Sequence, residues 1–324
     1  MANDYSLNGK TLEKQYKHQL SDFDEWDQRD HAEAWLLFPE NIGKHMSIDE
    51  TALSRGELYT IITNKAAKGG KGAIFAMIRG TKADDIVKII NTIPRRVRHI
   101  CKEITMDFAN NMADIAHRCF PWAKRVRDRF HLHQLVSDAV QDVRIKHRWE
   151  AIDEYNKALK AHGRGYKAPT LENGDTLKEL LARSRYLLYK TPEKWCDSQH
   201  TRAKLLFERY PDIKTAYHHA MGLNHVFAAK DKRLKNNHLI TTREIAWTRL
   251  VKWNDQVEQS NLTPFNTVAN TIANHYATIL NYFDNKSTNA SAESFNAKLK
   301  AFRTQFRGVK DVKFFLFRVC KIYA

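Results

Sequence analysis

The spacing of apolar positions changes along the chain, and the changes divide it. In residues 46–80 the runs MSIDETAL, LYTIITN and AIFAMIRG are short, rich in β-branched and apolar side chains, and separated by turn signals. That pattern predicts three strands. The connection KAAKGGKG is basic and glycine-rich, but it lacks the GxxxxGK spacing of a phosphate loop and lies between two strand-like runs, so it reads as a hairpin. Residues 81–93 then take helical spacing. Thr81 is placed to cap, Asp84 and Asp85 sit at the positive end of the helix dipole, and Ile86, Ile89, Ile90 and Ile93 form the apolar face before Pro94. A fourth apolar run, residues 100–106, ends abruptly in Asp107. A helix follows, with Met112, Ile115, Ala116 and Cys119 on one face and Pro121 as its stop. The fifth run, residues 125–130, contains Asp128 and leads into His131.

Three strands, a helix, a strand, a helix and a fifth strand give the order βββαβαβ. An α/β fold with an RNase H-like mixed sheet fits that order, as an antiparallel meander followed by parallel strands with helical crossovers. Beyond His131 the strand signals largely vanish and charged helical patterns take over, interrupted near Pro192, Pro211 and Pro264. The expected organisation is therefore an acidic lead-in at 1–45 with no sheet pattern and a first part of the core at 46–135. A helical insertion follows at 136–260, then a second part of the core at 261–324. In that last part Phe295, Leu299 and Phe302 form a helical stripe, and residues 312–323 form a final helix or strand against the sheet.

Charge sharpens the picture. The net charge is +16, but residues 1–50 hold five Lys/Arg against eleven Asp/Glu, so the remaining chain carries +22. A body of that sign attracts polyanions, of which nucleic acid is the commonest large one. No run of apolar residues is long enough to span a membrane. The four cysteines, Cys101, Cys119, Cys196 and Cys320, are scattered without CxxC pairing. They indicate neither a zinc finger nor a disulfide framework, and a cytoplasmic location follows as the expectation.

Asp49 in the first strand run, Asp107 at the end of the fourth and Glu293 on the late helix are the candidate acids. Carboxylate oxygens suit hard divalent ions, and two such ions can activate an attacking oxygen and stabilise a leaving one in phosphodiester displacement. In the expected sheet the first and fourth strands are neighbours, so Asp49 and Asp107 share one edge. Glu50 is a rival to Asp49, and strand alternation sends the two to opposite faces. Asn296, three residues after Glu293, shares a neighbouring helix face. Lys298, Lys300, Arg303 and Arg307 make the same segment basic and are candidate DNA contacts. Trp195 lies in a loop-like stretch from which an indole could stack on an extruded base.

The segments SIDETALSRGELYTIITN, ITMDFANNMADIAHRCFPWAKRVRDRFHLHQLV and STNASAESFNAKLKAFRTQFRGVKDVKFFLFRV resemble the DDE transposases of bacterial insertion sequences, in their ISL-three branch. The resemblance runs from about residue 45 to the end, and the DRFH block and the Asn-x-x-x-Glu-x-x-Asn-x-x-x-Lys spacing carry it. It implies a catalytic, metal-binding triad of Asp49, Asp107 and Glu293. It also implies two Mg²⁺ ions that Mn²⁺ can replace, hydrolysis at the element's inverted-repeat ends, and attack of the freed 3′-hydroxyl on target DNA. Asp128 and His131 match an acid-x-x-His signature and are expected either to support the metal ligands from behind, as Asn296 is, or only to tie the strand end to the following helix. The stretch before the first strand is expected to be too short for the usual N-terminal DNA-reading region. On that expectation either the DNA-reading part is a separate polypeptide or this copy is truncated. The resemblance also implies a homo-oligomer when active and a nucleoid-associated protein. The alternative is a non-catalytic, domesticated nucleic-acid-binding derivative that keeps only the basic body.

Overall fold

Near-continuous burial along the strand runs of residues 45–79 marks an antiparallel part of a sheet covered on both faces, and two short runs, one fully buried and one buried at its end, extend it in parallel. The computed structural model describes residues 8–53, 57–163, 165–233, 239–305 and 311–324. They fall into two units, one formed by the chain up to Asp128 together with Ser287–Ala324, the other by Arg129–Lys286.

The first unit is mixed α/β. It begins with α1 (Gly9–Gln15) and a π-helical turn at Tyr16–Leu20. Its strands are β1 (Trp35–Leu37), β2 (His45–Ala52), β3 (Leu58–Asn64), β4 (Ile74–Arg79), β5 (Glu103–Met106) and β6 (Lys124–Arg127). They form one sheet in the order β1-β4-β3-β2-β5-β6. The pairs β1/β4, β4/β3 and β3/β2 are antiparallel, whereas β2/β5 and β5/β6 are parallel. Between the strands lie α2 (Ala83–Ile90), α3 (Arg95–Arg98) and α4 (Asn110–Cys119).

One sheet face packs on α2 and α4. Met46, Ile48, Ile62, Ile104 and Met106 meet Ile86, Ile90, Met112, Ile115 and Cys119 there, all buried. The opposite face lies under the helices that complete this unit after the second unit has been traversed. There Tyr59, Ile61, Ile74 and Met77 pack with Phe295, Leu299, Phe315 and Leu316. Each such side chain contributes about 1.5–3 kcal/mol by leaving water, so both faces are firmly held.

The second unit is mostly helical. It comprises α5 (Arg129–His162), α6 (Leu177–Arg183), α7 (Asp197–Arg209), α8 (Pro211–Phe227), the two-residue strands β7 (Lys232–Arg233) and β8 (Leu239–Ile240), α9 (Thr242–Ser260), α10 (Thr263–Leu280) and α11 (Tyr282–Asn285). Pro211 and Pro264 stand in the first turns of α8 and α10, where a missing N–H costs nothing. The chain then returns to the first unit with α12 (Ala290–Gln305) and α13 (Val312–Tyr323). Among the described residues no helix is long and apolar enough to cross a membrane.

The structure differs from the sequence reading at several places. The acidic lead-in supplies an edge strand, β1, which the charged residues around it hide. Thr81 does not cap α2. The cap position is Lys82, without a side-chain hydrogen bond, so the helix start relies on Asp84 and Asp85 in its first turn. The fifth run ends at Arg127, and Phe130 and His131 already belong to α5. Residues 312–323 resolve as a helix, capped by Asp311, whose carboxylate accepts from the Phe314 N–H. Trp195 is held inside the second unit. Its Nε1 donates to the Leu187 carbonyl, and its ring lies beside Phe207 and Tyr217.

Candidate active site

The parallel registers line acids up at one end of the sheet. Strands β2 and β5 pair through Ser47↔Thr105, and β5 and β6 through Met106↔Arg127. Carrying these registers past the last paired residues sets Asp49 beside Asp107 and Asp107 beside Asp128. The Asp128 N–H confirms the second step by donating to the Met106 carbonyl at 2.8 Å. Neighbouring strands run about 4.8 Å apart, so the row sets Asp49, within β2, beside two aspartates that directly follow the carboxyl ends of β5 and β6. Ligand sites of α/β proteins gather at such ends.

Strand alternation assigns the faces. The Asp49 carboxylate accepts from the Asn296 side-chain amide at 2.8 Å and from the Glu50 N–H at 2.9 Å, so it faces α12. Glu50 turns the other way, toward α4, where Asn111 donates to it at 2.7 Å. Asp107 folds its carboxylate back onto the Ala109 N–H at 2.8 Å, which fixes the turn between β5 and α4. Its carbonyl accepts from the buried Arg127 guanidinium, which stacks over Phe108.

Helix α12 brings the late acid. The backbone carbonyl of the buried Asn289 accepts from the Ala292 and Glu293 N–H groups and so starts the helix. Glu293 lies in its first turn, and Phe295 and Leu299 anchor it in the core. A carboxylate oxygen of Glu293 and one of Asp128 lie within 4.8 Å of each other. Asp49 and Asp107 are outside that closest grouping. His131, three residues beyond Asp128 in sequence, sits on the first turn of α5 in the second unit.

Beneath the acids runs a buried polar strip that sequence reasoning missed. Lys65 donates to the Thr105 hydroxyl at 2.8 Å. Burial pulls its pKa below the ordinary lysine value, while Glu103 and then Asp128 pull it back up. Glu103 is 2% exposed and accepts from the Ser287 hydroxyl, with the His45 ring 3.4 Å away. Nothing local in the sequence marks Lys65, because its partners come from strands some forty residues further on.

The basic residues of α12 take different places. The Lys298 ammonium donates to the Gly69 carbonyl at 3.0 Å, in a turn where Gly69 adopts a positive φ of 69°. Lys300 is exposed. Arg303 lies over the Phe315 ring, 4.8 Å from its centroid. Arg307 falls outside the described residues.

The donor set suits a hard divalent cation. It is built from carboxylate oxygens, with neither sulfur nor an imidazole in the first unit's row. Asp128 is 1% exposed, and both its carboxylate oxygens are buried without a hydrogen-bond partner among the described residues. A buried carboxylate in that condition calls for a compensating charge. A family model described as transposase, of the ISL-three DDE type, matches residues 46–319. No curated protein and no solved structure matches the chain.

Proposed function

The chain belongs to the ISL-three family of DDE transposases, and from that premise we propose that Asp49, Asp107 and Glu293 are the catalytic acids of an RNase H-like core. In this reading the core is interrupted by the helical unit and acts on the inverted-repeat ends of an insertion sequence. The observation that carries the reading is the juxtaposition at β2, β5 and α12. Extended two residues past its last pair, Ser47↔Thr105, the β2/β5 register sets Asp49 beside Asp107, and Asn296 of the helix that bears Glu293 donates to the Asp49 carboxylate. The strand order also supports it, since the five strands β2 to β6 give a three-stranded antiparallel meander extended by two parallel strands.

The three acids would hold Mg²⁺, with Mn²⁺ able to replace it. When bound, two such ions make a water or a 3′-hydroxyl nucleophilic and offset charge on the departing oxygen. The protein's own work is to keep the ligands in place. Asn296 fixes the Asp49 carboxylate, the Ala109 N–H fixes that of Asp107, and Phe295 and Leu299 seat the helix that carries Glu293. DNA, as end and as target, is the partner, and its phosphates would meet the exposed basic groups. An assembled homo-oligomer completes the reading.

The test is metal-dependent nicking of a duplex that carries the element's terminal repeat. Asp107→Asn should abolish nicking and leave duplex binding unchanged. Binding by the wild-type chain without nicking in Mg²⁺ or Mn²⁺ would favour the non-catalytic, domesticated derivative instead.

A further inference from the structure

We propose that Asp128 is itself a metal ligand, acting with Glu293, so that the site holds its cations with four carboxylates rather than three. The proposal rests on the DDE reading above and extends it from the expected triad to the end of β6.

The argument begins with burial. The Asp128 side chain is 1% exposed, and neither oxygen has a hydrogen-bond partner among the described residues. Other buried or half-buried acids of this unit are satisfied locally. Asp49 has Asn296, Asp107 has the Ala109 N–H, and Glu103 has Ser287. An ionised carboxylate without such partners costs several kcal/mol to bury unless a charge lies beside it. A structural acid that merely tied β6 to the following helix would spend its oxygens on nearby N–H groups. Asp128 does not.

The second observation is distance. An oxygen of Asp128 lies within 4.8 Å of an oxygen of Glu293. Two carboxylates that close repel unless a cation or a shared proton sits with them. Lys65, whose ammonium donates to Thr105, lies closer in its charge coupling to Glu103 than to Asp128. The in-register row then places Asp128 next to Asp107, so a cation at Asp128 and Glu293 would adjoin one at Asp49 and Asp107.

The alternative is a proton shared between Asp128 and Glu293, with no metal at that end. Manganese binding to the full-length chain separates the two. Free Mn²⁺ is followed by electron paramagnetic resonance during titration of the wild-type chain, Asp128→Asn and Asp107→Asn, with circular dichroism to confirm folding. Asp128→Asn should lower the number of Mn²⁺ ions bound by one, a loss beyond the roughly ten- to hundredfold weakening that follows removal of a ligand's supporting partner. Unchanged stoichiometry in a folded Asp128→Asn, with or without a weaker affinity, would overturn the proposal while leaving the triad reading intact, provided Asp107→Asn loses binding. A wild-type chain that binds no Mn²⁺ would overturn both. Should Asp128→Asn fail to fold, Fe²⁺ with ascorbate and peroxide maps the site in the wild-type chain by cutting backbone beside the bound ion. Cuts next to residues 128 and 293 support the proposal, and cuts confined to residues 49 and 107 refute it.

Discussion

Adjacent residues Asp49 and Glu50 show how finely the site is set. One methylene separates their chemistry, but the pleat sends one to Asn296 on α12 and the other to Asn111 on α4. Asp49→Asn is therefore expected to lower metal-dependent nicking by at least about a hundredfold, roughly 3 kcal/mol of transition-state stabilisation. Glu50→Gln should stay within about threefold and lose only part of one hydrogen bond, on the order of 1 kcal/mol of stability. Comparable losses in both variants would mean that the face assignment is wrong. Asn296 donates to the Asp49 carboxylate, so on the proposed reading Asn296→Ala should weaken Mn²⁺ binding about ten- to a hundredfold. A fall in Tm with unaltered Mn²⁺ affinity would reduce it to a packing residue. The opposed faces of Asp49 and Glu50 follow from alternation alone and were legible in the sequence. Lys65 was not, because its burial depends on the hairpin turn folding back over β5, a long-range event that no local spacing encodes.

Strands and helices with strong periodicity were readable for a physical reason: their apolar residues have one place to go. The four residues picked from helical spacing after Asp107 are the buried face of α4, and Phe295 and Leu299 are the buried face of α12. Elements set by tertiary pairing were not. Strand β1 exists because Trp35, Leu36 and Leu37 pair with β4, and its acidic flanks mask it. The β6 boundary failed for a related cause. Phe130, 57% exposed, extends an apolar run in sequence without entering the sheet, so the run looked longer than the strand. In the helical unit, His133 on α5 gives an element-scale test. It lies 5.2 Å from the Phe227 ring of α8, and burial, helped by Arg129, lowers its pKa from 6.5 to about 4. The unfolded chain takes up this proton near pH 6.5 and the folded chain only near 4, so between those values the unfolded state binds more protons. Stability should then fall as pH drops through that window and level off below it, by at most about 3 kcal/mol from this group. His133→Gln should flatten that limb of a Tm-against-pH curve. An unchanged slope would show that other groups govern it.

At the scale of the whole molecule, charge decides how DNA is held. The chain carries +16, and the part beyond residue 50 carries +22, so phosphate neutralisation is the attraction expected to dominate. Which cations are available is a matter of structure rather than composition. Arg303 covers the Phe315 ring and Lys298 is tied to the Gly69 carbonyl, while Lys300 is exposed. Replacing Arg303 by Ala would therefore remove packing as well as charge, and its effect on binding would be mixed with an effect on stability. Lys300→Ala is the cleaner probe. It should reduce the slope of log K against log salt by about one and weaken end-containing and unrelated duplexes equally. Equal weakening follows because a phosphate contact carries no base information. The measurement is a salt titration of the full chain on both duplexes, by anisotropy, in the absence of divalent metal. A Lys300→Ala slope equal to wild type would show that α12 does not face the backbone. A wild-type chain that strongly prefers end DNA at physiological salt would show that it reads sequence itself.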